Sequence, residues 1–146
     1  MAVSVRARII ANDSLVFLRF TGVQDLQMAM EELKAMRALP AYRPGLPELA
    51  DLSAVTRTGL DFNAMRTLVH DVTSLGVDPQ REKRIAIFAP QDTLYGMARM
   101  FSTLTELEPG NVRGAAFRTQ GECLEWLGRP ERDFADIPGY DLVPMV

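Results

Sequence analysis

Asp51-Leu52-Ser53 closes a short apolar run, and the polar stretch Ala54–Asp61 leads from it into a helical pattern. Within that stretch Thr56, Arg57, Thr58 and Gly59 are residue types that can hold an anion, and Ser53 just before it belongs to the same candidate ligand or partner surface. Hydroxyls and a guanidinium would stand beside helix N-terminal N–H groups, which carry a partial positive charge. Gly59 would let the backbone approach a ligand closely. An ordinary connection whose helix is capped by Asp61 uses the same residues. Tyr95 and Arg99 stand one turn apart on a later helical pattern, opposite its apolar stripe. Both types are enriched at interface hot spots, so the pair is a candidate partner surface; a solvated face with Ser102 and Glu106 is the alternative. His70 is the only histidine, and no nucleophile or orienting partner can be assigned to it, so a structural place is expected. Cys123, beside Leu124 and Leu127, reads as a small buried apolar residue. No phosphate-binding loop, dinucleotide glycine fingerprint, nucleophile elbow or His-Glu-x-x-His pattern occurs, and one cysteine with one histidine cannot build a structural zinc site. Neither an enzyme nor a bound cofactor or metal is expected.

The elements that must position these residues follow from periodicity. Residues 3–10 alternate as a half-exposed strand, Asn12-Asp13 turns, and residues 14–20 form a second strand, making an antiparallel hairpin. Thr21 and Gln24 have the spacing of a capping box before a helix striped by Leu26, Ala29, Met30, Leu33 and Met36. Pro40, Pro44 and Pro47 end it and lead into the buried strand that closes at Ser53. A second helix carries Phe62, Met65, Leu68, Val69 and Val72, with Gly76 beyond it as a left-handed cap. The basic run Arg81, Lys83, Arg84 reads as a solvated turn before a doubly covered strand at residues 85–89. Asp92 is placed to cap a third helix striped by Leu94, Met97, Phe101 and Leu104. A fifth strand at residues 112–117 and a short helix introduced by Thr119 and Glu122 complete the pattern. The order is β-β-α-β-α-β-α-β-α: an α/β sandwich with a mixed five-stranded sheet and about four helices. Residues 1–128 read as one domain, and 129–146 as a C-terminal tail docked by Tyr140, Leu142 and Val143.

Composition narrows the function classes. The chain has 146 residues, enough for one domain with a real core, and 24% are charged. A net charge of −3 leaves no footprint for nucleic acid. No apolar run approaches the roughly 20 residues of a membrane span. The first residues lack a secretory pattern, and a single cysteine forms no internal disulfide, so a reducing cytoplasm is the expected compartment.

Three segments together resemble a known family. Beyond Asp51-Leu52-Ser53, the runs Arg84–Ala89 and Tyr95–Phe101, with the ending Ala116–Leu127, are similar to the SpoIIAA-like proteins grouped with STAS and SEC14 domains. The resemblance spans about residues 3–128 and implies a STAS-like sandwich, usually without enzymatic activity. In the switching members Asp-Leu-Ser is followed by an Asp-Ser pair bearing the phosphorylated serine. Here Asp61 is followed by Phe62, so that serine does not carry over.

The leading expectation is a non-catalytic STAS-like regulatory or protein-interaction module of bacterial signalling that acts as a homodimer or with a protein partner. Its contact surface would join the Ser53–Thr58 loop, the start of the second helix and the Tyr95–Arg99 face. The competing expectation is a small-ligand or lipid carrier with an apolar pocket between sheet and helices, lined by Met65, Met97 and Phe101. A third is a phosphoprotein switch using Ser53, Thr56 or Thr58.

Overall fold

The computed structural model describes residues 5–144. β1 (Val5–Ile10) and β2 (Leu15–Gln24) pair antiparallel, and β3 (Glu48–Thr58), β4 (Lys83–Phe88) and β5 (Val112–Phe117) add in parallel, giving one five-stranded sheet of order β1-β2-β3-β4-β5. Three consecutive left-handed residues, Ala11, Asn12 and Asp13 (φ 56°, 57° and 62°), close the hairpin. Asn and Asp tolerate that conformation; Ala11 does not prefer it, and its N–H is held by Pro138 O at 2.8 Å.

Each parallel strand lies beside the one before it, so right-handed crossovers place α1 (Leu26–Arg37), α2 (Phe62–Ser74) and α3 (Asp92–Leu107) on one face. Ala29, Leu33, Met65, Val69, Leu94 and Phe101 pack there on Leu18, Ala50, Leu52 and Ile87. The opposite face presents Leu15, Phe17, Leu49, Ala86 and Phe88. α4 (Gln120–Trp126) covers it through Cys123 and Leu124, and residues after it continue the cover. Two 3-10 turns, Phe134–Asp136 and Tyr140–Leu142, bring Phe134, Ile137 and Val143 onto that face, while Leu142 points outward, 54% exposed. Phe134 meets Phe17 and Phe88 edge-on, with centroids 5.4 and 5.3 Å apart.

Several sequence expectations shift by a few residues for local reasons. The third strand does not end at Ser53. It runs to Thr58 because β2 also runs on to Gln24 and pairs with it, Thr21 opposite Ala54 and Gln24 opposite Thr58. Thr21 therefore belongs to a strand, and α1 is capped by Asp25, whose carboxylate accepts from Met28 N at 2.8 Å. Asp61 caps α2, accepting from Ala64 N at 2.8 Å. Asp92 is not a cap. It is the first residue of α3, and its carboxylate pairs with Arg118 at 2.6 Å. Phe62 leaves the apolar stripe of α2 and is 53% exposed.

Candidate functional site

The alternation of β2, β3 and β4 sends Leu18, Ala50, Leu52 and Ile87 toward the helices, where Met65 of α2 and Met97, Ala98 and Phe101 of α3 face them. These side chains do not fill the space. An apolar cavity of about 90 Å³ remains between sheet and helices, lined by the expected Met65, Met97 and Phe101. For scale, an engineered apolar cavity of about 150 Å³ stays dry and binds benzene. Along β3 the lining runs from Glu48 through Ala50, Leu52 and Val55 to Thr58. Gln24 and Leu60 line the Thr58 end.

A buried ion pair closes the other end. Glu48 begins β3 and Lys83 begins β4, and Lys83 stands two residues before Ile85, the register partner of Glu48. Both side chains thus rise from the same face of the sheet. Lys83 Nζ lies 2.6 Å from Glu48 Oε2, and the two side chains are 1% and 3% exposed. Lys83 Nζ also donates to Gly76 O (3.3 Å) and Tyr42 Oη (3.4 Å). Gly76 has φ +67°, and a Cβ there would collide with the Tyr42 hydroxyl, so only glycine fits the corner. The basic run is a solvated turn only at Arg81, which is exposed. Lys83 is buried in this pair, and Arg84 stacks on Trp126 at 5.1 Å while donating to its carbonyl at 2.7 Å. A charged residue at a strand start reads as exposed unless its partner, 35 positions away in the sequence, is known.

The residues expected to form a polar loop lie on a ribbon instead. Ser53, Thr56 and Arg57 are exposed on β3, Thr58 is half-buried, and Gly59 N donates to Gln24 O at 2.8 Å, continuing the β2–β3 pairing. β3 carries two extra residues relative to β2, a pair of bulges that curl the ribbon. Next to β4, β3 pairs only as far as Asp51 opposite Phe88; beyond that, Ser53 O accepts a long hydrogen bond from Gln91 Nε2 at 3.4 Å. Asp51 is buried and its Oδ1 accepts from Ser53 N at 2.9 Å. Tyr95 is half-buried and does stack on a guanidinium, but that of Arg118, 4.3 Å from the ring centroid; Arg99 is exposed. Arg118, just past β5, is the member of this cluster that helical spacing could not supply. The Ser53–Arg57 ribbon and the Tyr95–Arg118 stack are connected through Gln91 and Asp92 at the start of α3.

His70 is exposed rather than structural, with Nδ1 3.8 Å from Glu108 Oε2. Cys123 is fully buried, and its thiol is pushed up to about 12, first by burial and then by the nearby charges of Asp51 and Glu122. It is no nucleophile in the folded chain. Among the described residues, no cluster of three His, Cys, Asp or Glu side chains is placed to hold a metal, and no helix is long and apolar enough to cross a membrane.

No family model and no curated protein matches the chain. A solved structure does: an uncharacterised protein of the DUF3478 family with a SpoIIAA-like fold, from Shewanella loihica PV-4. It is 16% identical, covers 85% of this chain and 94% of its own, and superposes with a TM-score of 0.55. The fold is SpoIIAA-like. In that SpoIIAA-like frame the start of α2 is occupied by its own cap, Asp61, and by the outward ring of Phe62. The space left open lies deeper, under the three crossover helices.

Proposed function

We propose that this chain is a non-catalytic STAS-like binding module whose ligand is a small apolar molecule held between the sheet and α1–α3. The apolar cavity carries the reading: a close-packed core has few voids larger than a water molecule, and this one is lined almost wholly by hydrocarbon. Filling it returns dispersion contacts to side chains that now face a gap. Native mass spectrometry of freshly purified protein, with NMR titration by small hydrocarbons, tests this. A co-purified apolar adduct, or shifts confined to the lining residues, is the expected result. A bare chain that takes up no hydrocarbon overturns it.

A second reading is a cytoplasmic regulatory or protein-interaction module, self-associating as a homodimer or bound to a protein partner. The observation favouring it is the exposed Ser53–Arg57 ribbon adjoining the Tyr95–Arg118 stack, a polar and aromatic surface on rigid elements. Light scattering on a size-exclusion column decides the homodimer: a clean monomer at high concentration removes self-association. Ser53 and Thr56 on the same ribbon are accessible to a kinase, which is the form a phosphoswitch would take without the missing serine.

A further inference from the structure

The ion pair at the closed end of the cavity is unevenly satisfied. An ammonium has three N–H donors and no acceptor. Lys83 Nζ donates to Gly76 O and Tyr42 Oη and is ion-paired with Glu48 Oε2, which itself accepts no hydrogen bond among the described residues, and Lys83 does not line the cavity. A carboxylate offers about four acceptor positions. Among the described residues the Glu48 carboxylate meets Lys83 alone, and Glu48 does line the cavity. The buried end of an otherwise apolar space therefore has acceptor capacity to spare and no donor.

Charge selects further. Glu48 and Lys83 cancel, so an ammonium would bring an uncompensated charge into an apolar space, and a carboxylate would meet the Glu48 oxygens with like charge. A hydroxyl donates one hydrogen bond and adds no charge. We propose that the Glu48 end of the cavity selects a neutral, hydroxyl-terminated apolar molecule, its chain lying along β3 and its O–H donated to Glu48. This assignment rests on the apolar-ligand reading above.

The test is an NMR titration of the full chain with four probes of six carbons each: hexane, 1-hexanol, hexanoate and hexylammonium. Hexane leaves water more readily than 1-hexanol, so burial alone ranks hexane first. One hydrogen bond to a buried carboxylate reverses that order, and 1-hexanol is expected to bind at least about tenfold tighter than hexane. Both charged probes bind more weakly than the alcohol. In the double variant Glu48→Leu/Lys83→Met, which removes the whole pair and leaves no lone buried charge, the alcohol preference disappears while hexane binding remains. Hexane binding as tightly as 1-hexanol in the native chain overturns the role of Glu48 but leaves the cavity reading standing. A tighter charged probe, or an alcohol preference that survives in the double variant, does the same. Binding of none of the four overturns both. The native-chain ranking decides even where the double variant fails to fold.

Discussion

The two faces of the sheet are packed by different means. Under α1, α2 and α3 aliphatic and methionine side chains predominate, with Phe101 among them, and they leave an apolar void of about 90 Å³. On the opposite face a cluster of rings is set among aliphatic side chains. Phe17, Phe88, Phe134 and Tyr140 meet edge to face at 5.3–5.4 Å, and Arg19 lies over the Phe17 and Tyr140 rings while donating to Val143 O and Pro144 O at 3.0 and 2.7 Å. Aromatic pairs in this geometry add to their burial. The lesson is a difference in packing: one face is closed by interlocking rings, and the other leaves a void.

The largest expected effect comes from breaking the closed face. Phe134→Ala removes a ring that touches both Phe17 and Phe88, and is expected to cost about 3–5 kcal/mol by urea unfolding. A loss under 1 kcal/mol would mean that the C-terminal residues are not integral to the domain. A matched pair of insertions sharpens the contrast at smaller scale. Ala86→Leu, at a fully buried alanine of the aromatic face, overpacks and is expected to cost about 1–3 kcal/mol. Ala98→Leu extends into the cavity, changes stability by no more than about 1 kcal/mol, and abolishes hydrocarbon uptake. Equal costs for the two would erase the distinction between the faces.

The smallest effect concerns Cys123, on the closed face. Its pKa is raised from 9.0 to about 12 in the folded chain, so the unfolded chain loses the thiol proton first as pH rises. The contribution is whole below about pH 9 and is lost progressively from there toward pH 12. A disulfide reagent at pH 8 should label Cys123 only after denaturant is added. Rapid labelling of the native protein would show that this face opens.

Much of this architecture is legible in the sequence. Helical stripes and apolar runs locate all five strands and all four helices, because those periods are set by burial on the face each element presents. Met65, Met97 and Phe101 are readable as cavity lining for the same reason. What resists reading depends on partners far along the chain. Thr56-Arg57-Thr58 looks like a loop because its polar side chains are on a ribbon held only by β2, and that pairing is invisible to periodicity. Lys83 looks solvated until Glu48 is set beside it. Tyr95 is matched on its own helix with Arg99, whereas the sheet delivers Arg118. The tail offers no period because its anchoring residues sit on 3-10 turns, and Phe134 and Ile137 contribute more there than Leu142.

The strand order β1-β2-β3-β4-β5 also sets a sequence in time. Each strand joins the neighbour made just before it, so the sheet and its three crossover helices can assemble from the N-terminal end as the chain emerges during synthesis. Phe17, Leu49 and Phe88 are then already aligned on one surface, while Phe134, Ile137 and Val143 have yet to be made. Through that interval the nascent domain presents an apolar half-sheet, the kind of surface to which chaperones and aggregation partners bind. The arrival of Phe134, Ile137 and Val143 ends that exposure.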